Sequence, residues 1–181
     1  MQKIPEESVE KVGVGQTKIC TFEQKKYLTT SRLVSCYGII VIAMKKNGEK
    51  AIGLSHWIGS EDNAEYTIQN MKCKLAKQLG TEEISFNSIA IGGGGKSYTA
   101  PCLTQEIKTL KDKGLINVAL CDLNTPSQKT IIYQETTIYI IIKDDNQILI
   151  QYYIPPDSQV LKKVQTDEKN TPFPTPMQSS T

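Results

Sequence analysis

The sequence contains a single histidine, His56, and its five cysteines form no Cys-x-x-Cys pair. An odd number of cysteines without that spacing indicates neither a complete disulfide framework nor a zinc site. We therefore expect no metal and no cofactor, with free thiols in a reducing compartment. Any mechanism that needs an imidazole depends on His56 alone.

A strong charge imbalance and a long apolar run are also missing. The formal net charge is only +2, so the composition does not favour a nucleic-acid or anionic-membrane partner. The longest apolar run, GIIVIAM, is far too short to cross a bilayer, and the N-terminal MQKIPEESVE has no apolar core of a signal peptide. We expect a soluble, cytoplasmic monomer with no membrane insertion.

The chain length of 181 residues fits one domain followed by a tail. Beyond Pro155 and Pro156 the sequence is rich in proline and hydroxyl residues, and its apolar content is too low to offset the entropy of ordering. The sequence therefore predicts one domain over residues 1–154 and a flexible tail over residues 155–181.

Strand patterns outnumber helix patterns within this domain. Asn47-Gly48 predicts a hairpin between YGIIVIAM and KAIGLSHW. A helix is predicted from an N-cap at Asp62 or Asn63 to Gly80, and a second over residues 103–113. Further strands are predicted over residues 84–91, 116–121, 130–133, 136–143 and 148–154. The pattern indicates an α+β fold, in which a mixed, mostly antiparallel sheet is layered with two helices on one face.

The segment AIGGGGKS, residues 90–97, matches the relaxed form of a phosphate-binding loop. In such a loop the Lys and Ser begin a helix whose amides bind the anion. Pro101 follows Lys96 by five residues and would break that helix at a cost of about 3 kcal/mol. Because INVALCD ends in Asp122, which could hold magnesium, nucleotide binding remains an alternative hypothesis.

Cys36 and His56 form the candidate catalytic pair, because the hairpin brings them to the same end of a sheet. A two-residue loop would place them on opposite faces. A three-residue loop over residues 46–48 would pair His56 with Gly38 and place both side chains on one face, about 7 Å apart along the strand. The sequence leaves both registers open, and a buried cysteine beside a core histidine is the simpler interpretation.

The ordered segments GVGQ, TTSRLVSC, GLSH, NAEYTIQNMKCKLAKQLG and IAIGGGG resemble the CheD family of chemoreceptor glutamine deamidases. The resemblance covers about residues 10 to 152. The same fold occurs in bacterial toxins that deamidate glutamines of host proteins, such as the cytotoxic necrotizing factors. By this resemblance, Cys36 is the nucleophile, His56 the general base and acid, and Thr30 the residue that orients the histidine.

The resemblance also assigns the surroundings of this pair. Gly92 and Gly93 match the glycine turn of the family, which implies backbone beside the site rather than a phosphate loop. We expect the oxyanion donors to be the Cys36 N–H and a second N–H from Ser35 or from residues 29–31. Trp57 either shields the site or, as the simpler interpretation, packs in the core. The other four cysteines are interpreted as structural.

The implied activity is hydrolysis of a protein glutamine side chain to glutamate through a thioester, with transglutamination as a side reaction. The implied partner is a chemoreceptor, or a host signalling protein if the chain is translocated as an effector. Val34 stands where the family has glycine, which keeps a non-catalytic adaptor on the same fold as an alternative.

Overall fold

A computed structural model of the chain contains two helices and ten strands in the part that it describes. The structure describes residues 9–21, 27–59, 62–80, 83–95, 99–124, 135–142, 147–154 and 162–164. The elements are β1 (Val9–Lys11), β2 (Thr17–Thr21), β3 (Tyr27–Leu33), β4 (Tyr37–Lys45), β5 (Lys50–Trp57), α1 (Ala64–Leu79), β6 (Ile84–Gly92), α2 (Ala100–Asp112), β7 (Val118–Leu120), β8 (Thr136–Ile142), β9 (Ile148–Tyr153) and β10 (Lys162–Val164).

The strands form two sheets of five. In the central sheet the order is β2-β5-β4-β6-β7, and in the outer sheet it is β1-β3-β8-β9-β10. Only the β6–β7 and β1–β3 pairs of these ladders are parallel, and the remaining pairs are antiparallel. The fold is therefore α+β with mostly antiparallel strands, as the sequence predicted.

The helices, the central sheet and the outer sheet form three layers, and this order follows from the alternation of side chains along β4. Tyr37, Ile39 and Val41 pack with α1 and α2 on one face of the central sheet. Ile40, on the other face, packs with residues of the outer sheet. Neighbouring side chains of a strand point to opposite faces, and both faces of β4 are buried. β4 therefore needs apolar residues at its odd-numbered and its even-numbered positions, and YGIIVIAM has them.

The sequence left two loop lengths open for the hairpin between β4 and β5, and the structure has the three-residue loop. The Lys45 N–H donates to the Glu49 carbonyl at 2.8 Å, and the Gly48 N–H donates to the Lys45 carbonyl at 3.0 Å. Gly48 has a φ of 89°, a conformation that costs glycine little. Gly38 is consequently the Cα partner of His56.

Both predicted helices are present, with shifted boundaries for the second. Asn63 caps α1 by accepting the Tyr66 N–H at 2.7 Å. The second helix begins at Ala100 rather than residue 103, because Pro101 lies in its first turn, where the missing N–H needs no partner. No described helix is long and apolar enough to span a membrane.

The structure differs from the predicted arrangement in three places. The strands form two sheets rather than one, because β3 pairs with β8 of the C-terminal hairpin and β1 pairs with β3, two strands that the sequence patterns did not predict. Residues 162–164 of the predicted tail form β10 against β9, so the sheet extends past the expected boundary at residue 154. The strand expected over residues 130–133 and most of the tail lie outside the described residues.

Candidate active site

His56 and Thr30 come together from the two different sheets. His56 lies near the end of β5, and Thr30 lies in β3 of the outer sheet. The Thr30 Oγ1 is 2.9 Å from the His56 Nδ1, and both residues are buried, with 1% of His56 exposed. The predicted partnership of these two residues is therefore present in the geometry.

The Thr30 hydroxyl fixes the tautomer of His56. A hydroxyl has one proton, and Thr30 donates it to the backbone carbonyl of Val12 at 2.9 Å. Since that carbonyl can only accept, the Thr30 oxygen must accept from His56, and the His56 Nδ1 carries the ring proton. The other ring nitrogen, Nε2, is then the acceptor of the neutral ring, and within the described part of the chain it has no hydrogen-bond partner.

The backbone of His56 is held by the turn that contains the motif GVGQ. The His56 N–H donates to the Gln16 carbonyl at 3.0 Å, and the Gly15 N–H donates to the His56 carbonyl at 3.0 Å. Val12, which accepts the Thr30 proton, immediately precedes this turn. The N-terminal segment thus fixes both the main chain of His56 and the side chain that orients its ring.

Cys36 lies on the same face of the central sheet as His56. It precedes Gly38, the partner of His56, by two residues, and it packs in the layer between the two sheets. Two strand residues correspond to about 7 Å along β4. Because the Nε2 has no partner, the two side chains are not hydrogen-bonded to each other, and the side chain of Cys36 is half-buried.

Burial moves the pKa values of the two groups in opposite directions. Desolvation raises the pKa of the Cys36 thiol, although hydrogen bonds from the Ser35 hydroxyl and from the backbone of residues 34–36 oppose this rise. Desolvation lowers the pKa of His56. Both groups are therefore neutral at pH 7. Burial disfavours the charged form of each group, so neither a resting thiolate nor a resting imidazolium is favoured.

The glycine turn after β6 lies against the backbone of Cys36. The Gly93 N–H donates to the Cys36 carbonyl at 2.9 Å. A Cβ at Gly92, whose φ is 137°, would lie 2.4 Å from that carbonyl oxygen, and one at Gly93 would lie 2.1 Å from the Tyr37 hydroxyl. The glycines are therefore required for close approach to the Cys36 segment. Lys96 and Ser97 lie outside the described residues.

The remaining predicted residues occupy different surroundings. Ser35 is half-buried beside the Cys36 thiol. Trp57 points to the opposite face of the central sheet, where it packs against Tyr37 and donates to the Asp62 carbonyl at 2.8 Å, so it is a core residue rather than a shield for the site. None of the five cysteines forms a disulfide, and Cys73 and Cys102, interpreted as structural, are exposed.

Sequence analysis missed one residue of this region, Asn124. Its side chain is buried and donates to the carbonyls of Leu33 and Val34, just before Cys36. In the sequence it stands in CDLNTP, where an asparagine before Thr-Pro is typical of any turn. Among the residues that the structure describes, no group of three or more His, Cys, Asp or Glu could hold a metal ion.

No protein-family model matches the chain, and no curated protein matches it.

Replacing Thr30 tests the hydrogen bonds that fix His56. Thr30→Val keeps the shape but leaves the His56 Nδ1 and the Val12 carbonyl unpaired, so we expect the free energy of unfolding to fall by about 1–3 kcal/mol in urea titrations. The control Thr30→Ser keeps the hydroxyl and loses one methyl group, at a cost of about 0.8 kcal/mol. A Thr30→Val protein as stable as Thr30→Ser would contradict the assignment.

Replacing Gly92 tests the contact between the glycine turn and Cys36. We expect Gly92→Ala to change the rate at which iodoacetamide alkylates Cys36, measured by peptide mass spectrometry, because its Cβ displaces the Cys36 carbonyl. The control is Gly48→Ala, which also places an alanine at positive φ but has no atom within 4 Å of the new Cβ. Equal labelling of Cys36 in both variants would show that the turn does not position it.

Proposed function

We propose that this protein is a cysteine hydrolase that deamidates glutamine side chains of other proteins. The observation that carries the proposal is the buried His56 Nε2, which has no hydrogen-bond partner among the described residues and whose tautomer is set by Thr30. It shares a sheet face and a sheet end with Cys36. A buried acceptor without a partner costs about 1–3 kcal/mol, and a catalytic role is one reason for a fold to keep such a group.

The neutral resting pair defines the first chemical step. The Cys36 thiol transfers its proton to the His56 Nε2 as the sulfur attacks the amide carbon, which forms a C–S bond and an oxyanion. The protonated imidazole then gives that proton to the nitrogen, the C–N bond breaks, and ammonia leaves. The substrate remains attached to Cys36 as a thioester.

Hydrolysis of the thioester uses the same base. The His56 Nε2 accepts a proton from water while the oxygen attacks the thioester carbon, and the C–S bond breaks as the sulfur recovers a proton. The products are a glutamate side chain and the free Cys36 thiol. Throughout the cycle the Nδ1–H remains bonded to Thr30, so the ring keeps its orientation when it becomes charged.

The resemblance to the CheD family supports glutamine as the substrate and a chemoreceptor, or a host signalling protein, as its carrier. Cys36 is half-buried, so a glutamine side chain would reach its sulfur from the protein surface. His56 is buried, so the base would act from the protein interior. An amine that replaces water would produce transglutamination at the same thioester.

An activated ester tests the pair without knowledge of the substrate protein. We expect p-nitrophenyl acetate to acetylate Cys36 faster than the other four cysteines, with no acetylation at that position in Cys36→Ala and a loss of at least about tenfold in His56→Gln. Because only neutral imidazole is a base and burial lowers the pKa of His56, the rate should rise with pH to a plateau with a midpoint below 6.5.

The internal control for this reaction is the Cys121 thiol of the unmodified protein, whose peptide is followed by mass spectrometry beside the Cys36 peptide at each pH. Cys121 is also half-buried with its thiol pKa raised by burial, so it reports the reactivity of a similar cysteine without the histidine. An unchanged rate in His56→Gln, or a midpoint above 8, would overturn the role of His56.

Deamidation itself is tested by ammonia release and by the mass change from glutamine to glutamate in a disordered, glutamine-rich protein such as casein, and in extracted chemoreceptors. We expect conversion by the unmodified protein and none by Cys36→Ala or His56→Gln. Binding to chemoreceptors that persists in Cys36→Ala, with no conversion by any form of the protein, would instead support the adaptor function.

A further inference from the structure

The side chain of Asn124 makes two hydrogen bonds to the segment that carries Cys36. It is 2% exposed. Its amide nitrogen donates to the carbonyl of Leu33 at 2.6 Å and to that of Val34 at 2.8 Å. Its amide oxygen accepts from the Thr136 hydroxyl at 2.8 Å, and its backbone N–H donates to the Gly93 carbonyl at 3.0 Å.

These bonds set the direction of two successive peptide groups. In a trans peptide the C=O and the N–H point in opposite directions. Because the carbonyls of Leu33 and Val34 both face Asn124, the N–H groups that share their peptides, those of Val34 and Ser35, point away from it. Both protons of the Asn124 amide are used, so neither peptide can turn without breaking a buried hydrogen bond.

The carbonyl side of Cys36 is also linked to Asn124, through Gly93. The Cys36 carbonyl accepts from the Gly93 N–H, and the Gly93 carbonyl accepts from the Asn124 N–H. The two sides of the Cys36 segment are therefore tied to one residue on the loop after β7. Thr136, at the start of β8, in turn fixes the amide of Asn124 from the outer sheet.

We infer that Asn124 is a positioning residue, which turns the N–H groups of Val34 and Ser35 towards the place where negative charge develops beside Cys36. Successive N–H groups that face one point form a nest for an anion. In the proposed deamidation, on which this inference rests, that anion is first the thiolate and then the oxyanion of the tetrahedral intermediate.

The hydrogen bonds at the sulfur agree with this orientation. Backbone hydrogen bonds from Ser35, Cys36 and Val34 lower the pKa of the Cys36 thiol against the larger effect of burial. The donors are those that the carbonyl directions predict, together with the N–H of Cys36 itself. Val34 stands where the CheD pattern has glycine. It would serve the site through its N–H and not through its side chain.

The test is the pH dependence of Cys36 alkylation by iodoacetamide in Asn124→Ala, read by peptide mass spectrometry. Without the two Asn124 side-chain hydrogen bonds, the N–H groups of Val34 and Ser35 lose their alignment. We therefore expect the apparent pKa of the Cys36 thiol to rise by about one unit and its alkylation rate at pH 8 to fall about tenfold. The matched control is Asn117→Ala, which removes an asparagine that accepts the Ser88 N–H at 2.8 Å, far from Cys36. We expect this control to leave the rate unchanged.

If Asn124→Ala labels Cys36 with the pH profile of Asn117→Ala, the inference is overturned and Asn124 is only a structural clamp. If Asn124→Ala does not fold, Thr136→Val and Thr136→Ser replace it. Thr136→Val removes the bond to the Asn124 oxygen, and Thr136→Ser keeps it. Slower labelling in Thr136→Val than in Thr136→Ser supports the inference, and equal rates overturn it.

The alkylation measurement is independent of the proposed hydrolase. It reports the thiolate of Cys36 without any acyl transfer, so a failure of Asn124 to affect it leaves the acetylation result with His56→Gln untouched. Conversely, a protein whose Cys36 is stabilised by Asn124 but not acylated with help from His56 would have the nest without the catalytic pair.

Discussion

The site depends on the single proton of the Thr30 hydroxyl. That proton is donated to the Val12 carbonyl, which leaves the Thr30 oxygen as an acceptor for the His56 Nδ1–H and the Nε2 as a base. An aspartate in this position would add a negative charge to a buried layer and stabilise the imidazolium. A hydroxyl orients the ring without charge, which agrees with a histidine whose pKa is lowered by burial.

The two-sheet architecture makes this arrangement possible. His56 belongs to the central sheet and Thr30 to the outer sheet, so their bond spans the layer in which apolar residues of both sheets pack. Cys36 follows the outer-sheet strand β3 and precedes β4, and it therefore lies where the chain passes from one sheet to the other. The glycine turn after β6 and Asn124 after β7 donate hydrogen bonds to carbonyls of this crossing.

The fold class, the hairpin and both helices could be predicted from local patterns, since Asn47-Gly48 and the Asn63 cap act within a few residues. The register needed the structure, because two-residue and three-residue loops fit the same sequence, and only the three-residue loop places Cys36 on the same face as His56. Asn124 could not be found from the sequence, because its bonds reach residues about ninety positions earlier. The pKa directions depend on burial across both sheets, which no local pattern contains.

The most direct test of this account is the protonation state of its one histidine. A long-range ¹⁵N–¹H correlation spectrum of uniformly labelled protein contains a single imidazole, so His56 is assigned without mutation. We predict that at pH 7 the ring is neutral, with the proton on Nδ1 and an unprotonated Nε2. A proton on Nε2, or an imidazolium at that pH, would contradict the role of Thr30 and with it the proposed base.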